Sequence, residues 1–418
     1  MDSKMPGPLP NNKTNESPEP RQEGVPLLSG LHALLGTPFF LPVTIAVLFI
    51  GAGDAVGGSY LTLFAVDHAR MSPLKLGIFL TVLAVNGIAV STVFGRWFDR
   101  RASVVPVLLA LVMTTVGYLL LTATTRFYLL LVIAGGPLAA SLAGFPQLFA
   151  LAKGHLDQGG AETAERGIAT IRATWSIAWA IGPALGAVVI SRFDFRGVFM
   201  TAALCAAVAM ILVAAVRVPI PSNKTRDSEV KLTSRVVRQT RLIGSSLILF
   251  HMAMFMGSIA LPIVATHELR GTKADVGLIF SVCAFLEVLV MFAFVIRPSK
   301  AGKHHWISLG FLAFVLYFLV ATWSPSVAVL LIAQVLRAVG IGLIGYQGIS
   351  YIQALMPNQV GSAAALFSNT TNAGFLLSGL TAGAWAHVFG YRSMFIACAV
   401  LSGLGLLTLH FQSVVRSN

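Results

Sequence analysis

Residues 171–190 read IRATWSIAWAIGPALGAVVI, twenty residues carrying a single charge, Arg172. At about 1.5 Å per helical residue such a run matches the roughly 30 Å hydrocarbon core of a bilayer. A cation placed there costs on the order of 2.5–3.5 kcal/mol, so Arg172 needs a partner, water or the interface. The rest of the chain points to the same solvent. Of its 418 residues 56% are hydrophobic and 11% charged, whereas soluble domains carry about 25% charged residues.

Apolar runs of about 20 residues predict an all-α membrane protein with twelve transmembrane helices, near 39–66, 74–95, 104–123, 127–152, 167–190, 197–215, 243–265, 275–296, 306–323, 326–353, 360–385 and 393–412. The net charge of +13 would suggest nucleic acid in a soluble chain. Here its placement explains it. With the N-terminus inside, 19 Lys and Arg fall on the cytoplasmic side and eight outside, which predicts cytoplasmic termini and no nucleic-acid partner. Residues 1–37 are polar, lack the apolar core of a secretory signal, and are expected to form a disordered cytoplasmic tail. The basic stretch 217–242 is expected to be a cytoplasmic linker between two six-helix halves, 38–216 and 243–418. Such halves are the repeat signature of many secondary transporters, with the substrate near the midplane between them. Cys205, Cys283 and Cys398 all lie in apolar runs and read as packing residues. No span holds clustered His, Asp or Glu with ligand or acid-base spacing, so neither a metal, a cofactor nor an enzyme is expected.

The loop after the second span, GRWFDRR (95–101), matches in position RPSKAGKHH (297–305) after the eighth. Gly95 is expected to end a helix, Asp99 to cap a neighbouring one, and Arg96, Arg100 and Arg101 to sit at the cytoplasmic surface. This loop resembles a truncated form of the signature loop of the major facilitator superfamily, whose glycine-plus-basic ending is missing here. The segments PQLFALAKGH (146–155), IRATWSIAWAIGPALG (171–186), FLEV (285–288) and SYIQALMPNQVGSAAALFSNT (350–370) resemble the sugar efflux transporter family within that superfamily. The resemblance implies a major facilitator fold and export of a small-molecule sugar with protons as the coupling ion; a monomer in the cytoplasmic membrane is expected.

In the fifth span Arg172, Trp175, Trp179, Gly182 and Gly186 share one helix face. Gly182, Pro183 and Gly186 match the core of the fifth-span motif of proton antiporters in the superfamily, with Ala187 in place of its closing glycine. They read as a helix bend or as close helix packing. Trp175 and Trp179 suit a sugar-stacking platform, and equally core packing or a lipid boundary. Arg172, roughly 7–8 Å into its span, either snorkels or pairs with Glu287, which the family fold brings opposite. Asp54 and Arg337, lone charges flanked by glycines, form a second candidate pair where members of the family carry small or uncharged residues. Asp54 reads as a proton carrier or as one half of a structural ion pair. The amides Asn86, Gln147, Gln334, Gln347, Gln353, Asn369 and Asn372 offer donors and acceptors for sugar hydroxyls, or hydrogen bonds between helices. His251 reads as a packing residue. Multidrug export by proton antiport is the rival reading, favoured by an apolar aromatic cavity, and a non-transporting sensor is a weaker one.

Overall fold

The computed structural model of the protein describes residues 39–101, 103–156, 161–216, 234–296, 302–356 and 360–417. The tail 1–37, most of the linker (217–233) and residues 297–301 lie outside them. The described residues are helical throughout: α1 (Phe40–Leu63), α2 (Pro73–Arg101), α3 (Val105–Leu121), α4 (Phe127–Gly135), α5 (Ser141–Leu156), α6 (Ala161–Ala215), α7 (Ser234–Ile263), α8 (Lys273–Ile296), α9 (Lys303–Thr322), α10 (Val327–Leu355), α11 (Val360–Phe389) and α12 (Met394–Ser417). Among them nine stretches are long and apolar enough to cross a membrane.

Two elements depart from one helix per crossing. At 55 residues, α6 would be about 80 Å long if straight, more than twice the hydrocarbon thickness. It turns back at Asp194, whose φ of 52° and ψ of −159° lie in a region nearly reserved for glycine. Gly136 and Pro137 separate α4 from α5, with a 3-10 turn over Pro137–Ala140. That turn lets the α3 backbone approach, and a Cβ on Gly117 would sit 2.7 Å from the Leu138 backbone. Two expectations are corrected. Helix α2 runs through Gly95 to Arg101, because two further turns of helix-compatible residues follow the glycine; Gly95 ends nothing, and Asp99 is exposed in the last turn of its own helix. Helix α7 begins at Ser234, so the last residues of the expected linker 217–242 are helical.

The chain repeats itself at an offset of 200 residues. Helix α1 widens into a π-turn over Phe64–His68 and α7 into one over Val264–Glu268. Ala69 and Met71 donate to the carbonyls of Phe64 and Ala65, and Leu269 and Gly271 to those of Val264 and Ala265. Arg70 and Arg270 then adopt left-handed φ values of 52° and 57°. Ser72 and Thr272 accept the N–H groups of Lys75 and Asp275 to start the next helices. Deeper in the bundle, Gly57 admits the Tyr118 ring and Gly257 the Phe318 ring.

Helices α1–α6 pack chiefly on one another, as do α7–α12, and the two groups meet where α2 crosses α11 and α6 crosses α8. Both crossings lie toward one end of the bundle. A Cβ on Gly77 would stand 2.9 Å from the Gly379 carbonyl oxygen and 2.9 Å from the Gly383 Cα. One on Gly277 would meet the Pro183 carbonyl oxygen and the Tyr60 hydroxyl. At the same end His267 Nε2 lies 2.7 Å from Asp67 Oδ1, across the two π-turns, and Lys273 Nζ donates to Asp194 Oδ1 at 2.7 Å. Gly77→Val should therefore cost about 1–3 kcal/mol of stability, because the obstructing atoms are backbone and cannot turn aside. Thermal unfolding of the purified protein should show a clear drop for Gly77→Val and little change for Gly403→Ala, whose added Cβ meets nothing within 4 Å. Equal melting temperatures for both would show that α2 and α11 are not in backbone contact.

Candidate functional site

Between the two groups of helices lies a cavity of about 760 Å³, within the range that holds small organic ligands. Its lining starts beside the sealed crossings, at Thr62 and Ser378, and continues toward the other end as far as Thr92 and Ser176. From the first group come Asp54, Ser59, Tyr118, Trp175 and Trp179; from the second, Ser258, Phe280, Glu287, Arg337 and Asn372.

Arg337 is the most firmly held charge. It is buried, donates through Nη2 to Ser258 Oγ at 2.8 Å and through Nη1 to Gln334 Oε1 at 3.3 Å. Its guanidinium lies 5.2 Å from the Phe280 ring centroid and 6.0 Å from that of Tyr317. Gln334 Nε2 in turn donates to the Leu330 carbonyl, so the amide can present only its oxygen to the arginine. Glu287 stands within electrostatic reach of Arg337 but makes no hydrogen bond or ion pair among the described residues. Asp54 likewise has no such partner among them and stands within electrostatic reach of Tyr118. Arg337 is thus satisfied by its own group of helices, and Asp54 faces the cavity from the other.

The expected pairings are arranged differently in this conformation. Arg172 is exposed, its guanidinium 5.4 Å from the Phe149 ring centroid, and it does not line the cavity. The cation that acts on Glu287 is Arg337. The family resemblance points to Arg172 because the family fold pairs its span with that of Glu287. What it missed is Ser258, an uncharged residue 79 positions away that orients Arg337 toward α8.

The two tryptophans do line the cavity. Trp175 packs on Phe145 with centroids 4.3 Å apart and the rings tilted by 36°, and it lies against Gly51. The indole N–H of Trp179 is buried with no hydrogen-bond partner, as is the hydroxyl of Ser59. Gly182 and Gly186 admit Ala55 and Tyr60 of α1. Beside Pro183, the Ala184 N–H donates across the crossing to Ser281 Oγ at 2.8 Å. The motif therefore packs α6 against both α1 and α8.

Of the amides, only Asn372 lines the cavity. Asn86 donates to the Val82 carbonyl of its own helix at 2.9 Å and lies beside Gly135. Gln147 is buried near Gly95, and Gln347 is buried in α10. Gln353 and Asn369 are half-buried and exposed and stand outside the lining, as do Gly95, Asp99 and Arg100. The hydroxyl residues Ser59, Thr62, Ser91, Thr92, Ser258 and Thr371 supply instead much of the polarity expected from amides. Hydroxyl side chains are common in every transmembrane helix, so sequence gave no reason to select these. His251 is buried between Thr370 and Thr371, its Nε2 3.1 Å from Thr371 Oγ1. Cys205, Cys283 and Cys398 are buried and free.

The sequence pattern described as Major Facilitator Superfamily matches residues 243–417. Over 371 residues the chain is 38% identical to a Deinococcus radiodurans protein named for sugar efflux, covering 87% of this chain and 95% of that one. It is 30% identical to sugar efflux transporter A of Dickeya chrysanthemi over 87% of this chain and 93% of the other, and 28% identical to sugar efflux transporter C of Escherichia coli over 86% and 92%. Among solved structures, a nucleoside transporter superposes with a TM-score of 0.71 at 13% identity, covering 91% of this chain and 100% of its own. A bacterial homolog of the human lysosomal transporter Spinster, inward-facing and unoccupied, gives 0.68 at 14%, covering 91% and 98%. At these identities the structures speak to fold alone.

The geometry makes a double-mutant cycle decisive for the charges. Glu287→Gln combined with Arg337→Gln should depart from additivity in thermal stability by more than about 1 kcal/mol, since each single change leaves the other charge uncompensated. Glu287→Gln with Arg172→Gln should add to within about 0.5 kcal/mol. The reverse pattern would put Arg172, not Arg337, beside Glu287.

Proposed function

Because the chain belongs to the sugar efflux transporter family of the major facilitator superfamily, we propose that it exports sugars or their glycosides across the cell membrane by alternating access, with protons moving inward. The observation that carries the reading is the cavity itself, shared by both groups of helices and lined by hydroxyls, an amide and two indoles next to the charged side chains Asp54, Glu287 and Arg337. Hydroxyls and amides both donate and accept, which suits a sugar ring, and indole faces stack on its C–H surface.

The apolar runs support twelve crossings, and the excess of Lys and Arg supports cytoplasmic termini with Arg96, Arg100 and Arg101 inside. On that topology the sealed end faces outward and the cavity faces the cytoplasm, the side from which an exporter loads. Release then requires α2 to leave α11 and α6 to leave α8. The interface suits such rocking because it is made of glycine contacts and a few polar pairs. Protons enter this scheme through Asp54 or Glu287, the two carboxyl groups of the cavity. Drug export remains the competing reading, favoured by Phe255, Phe280 and Phe375 on the lining.

Overexpression should lower cellular accumulation of a non-metabolised glucoside or galactoside analogue; unchanged accumulation of a sugar panel together with lowered accumulation of a cationic dye would favour drug export. Cross-linking tests the motion. Cysteines at positions 67 and 267 joined by a short cleavable bifunctional thiol reagent should stop export, and cleavage of the reagent should restore it. Export that continues with the two positions linked rules out opening at this end. For coupling, Asp54→Asn should abolish export driven by a pH gradient yet spare exchange of sugar without one. Loss of both together would mark Asp54 as structural, leaving Glu287 as the carrier.

A further inference from the structure

Among the described residues, the charged side chains on the cavity wall are two carboxylates, Asp54 and Glu287, and one guanidinium, Arg337. Arg337 is already committed. Ser258 and Gln334 take its N–H groups, Phe280 covers its face, and its field falls on Glu287. Asp54 has no ion pair or hydrogen bond among the described residues and stands on the opposite wall. The balance of the cavity is therefore one uncompensated carboxylate. The other polar groups that the first group of helices gives to the wall are neutral, Ser59, Thr62, Tyr118 and Trp179 among them. Sites for phosphate or carboxylate present free Arg or Lys in forked or clustered geometry. This one presents neutral donors next to a carboxylate.

We propose that Asp54 is a specificity residue, which makes the cavity selective for uncharged sugars and refuses those that carry a phosphate or carboxylate group. This rests on the sugar-export reading and deepens it. Two physical features support the selection. An anion in the cavity is brought beside a carboxylate in a low-dielectric interior, and like charges so placed are a strong means of rejecting a wrong ligand. The one cation on the described wall has N–H groups bonded to Ser258 and Gln334 and acts on Glu287, so it does not stand free in the forked or clustered geometry of an anion site. The discrimination also has to be made inside. The exposed Arg96, Arg100 and Arg101 at the other end of α2 draw anions toward that end as readily as they draw anything. For an exporter that loads from the cytoplasm, this keeps phosphorylated sugars in the cell while free sugars leave.

The test separates charge from size at a single carbon. Binding of radiolabelled methyl glucoside to the purified full-length protein at neutral pH is competed with unlabelled methyl glucoside, methyl glucuronamide, methyl glucuronate and methyl glucoside 6-phosphate. The amide and the carboxylate are nearly the same size and differ in charge. The amide should compete within about threefold of the glucoside, and both anions at least about tenfold more weakly. Asp54→Asn should close the gap between amide and carboxylate by about tenfold, and Asp54→Glu should keep it open. A wild-type protein that binds glucuronate as well as glucuronamide overturns the proposal, and does so without any variant having to fold. A gap that persists unchanged in Asp54→Asn overturns the assignment to Asp54. Absence of displaceable glucoside or galactoside binding in the wild type defeats the sugar reading itself, a result distinct from either.

Discussion

Within a bilayer, lipid chains are as apolar as leucine, so the hydrophobic effect does little to hold one helix against another. What remains is close packing and polar contact, and here both are concentrated where the two groups of helices meet. Gly77 brings α2 against the backbone of α11, and Gly277 brings α8 against the Pro183 carbonyl. Dispersion at such distances is favourable but short-ranged, vanishing within an ångström or two of separation. An interface of this kind has two natural states, touching or apart, and few between. The polar contacts at the same end, His267 with Asp67, Lys273 with Asp194 and Ala184 with Ser281, are directional and equally short-ranged.

The repeat gives this interface its form. Asp67 and His267 occupy the same position in two copies of one local structure, the π-turn followed by a left-handed arginine. Two equivalent residues that touch must lie near the axis relating the copies. An acid and an imidazole then supply an attraction at a position where two identical charges would repel. Asp194, held at a strained φ and ψ, accepts Lys273 from the second copy of that corner.

How much of this the sequence disclosed depended on the kind of signal. Apolar runs found the helices, α1, α8 and α10 among them, to within a few residues, because hydrophobic length is a property of the segment itself. The turn at Asp194 was legible for the same reason, as a short break in a run too long for one crossing. Gly95 was misread because a glycine in a basic loop looks like a helix end, while Phe94, Trp97 and Phe98 continue to pack and carry α2 through it. The 200-residue repeat was visible only in part. Its matching loops were noticed, but the shared geometry at residues 64–72 and 264–272 survives in few identical residues. Arg172, Arg337, Glu287 and Asp54 were all found, since a charge in an apolar run stands out. Their partners were not, since partnership depends on neutral residues such as Ser258 that no pattern marks.

The division of charge between the two walls follows from that distinction. A guanidinium has several donors to satisfy, and the second group of helices supplies Gln334 one turn before Arg337 on its own helix and Ser258 from α7. Having its partners on one side of the interface, Arg337 keeps them when the groups separate. A bond from Asp54 to Arg337 would cross the interface instead, and would have to break and re-form whenever α1 moved against α10. An interfacial ion pair of that kind would hold the two groups together through the middle of the cavity, where the ligand has to sit. Placing the arginine's partners within one group and leaving the carboxylate opposite open keeps the centre of the cavity free, and confines the contacts that must break to its sealed end.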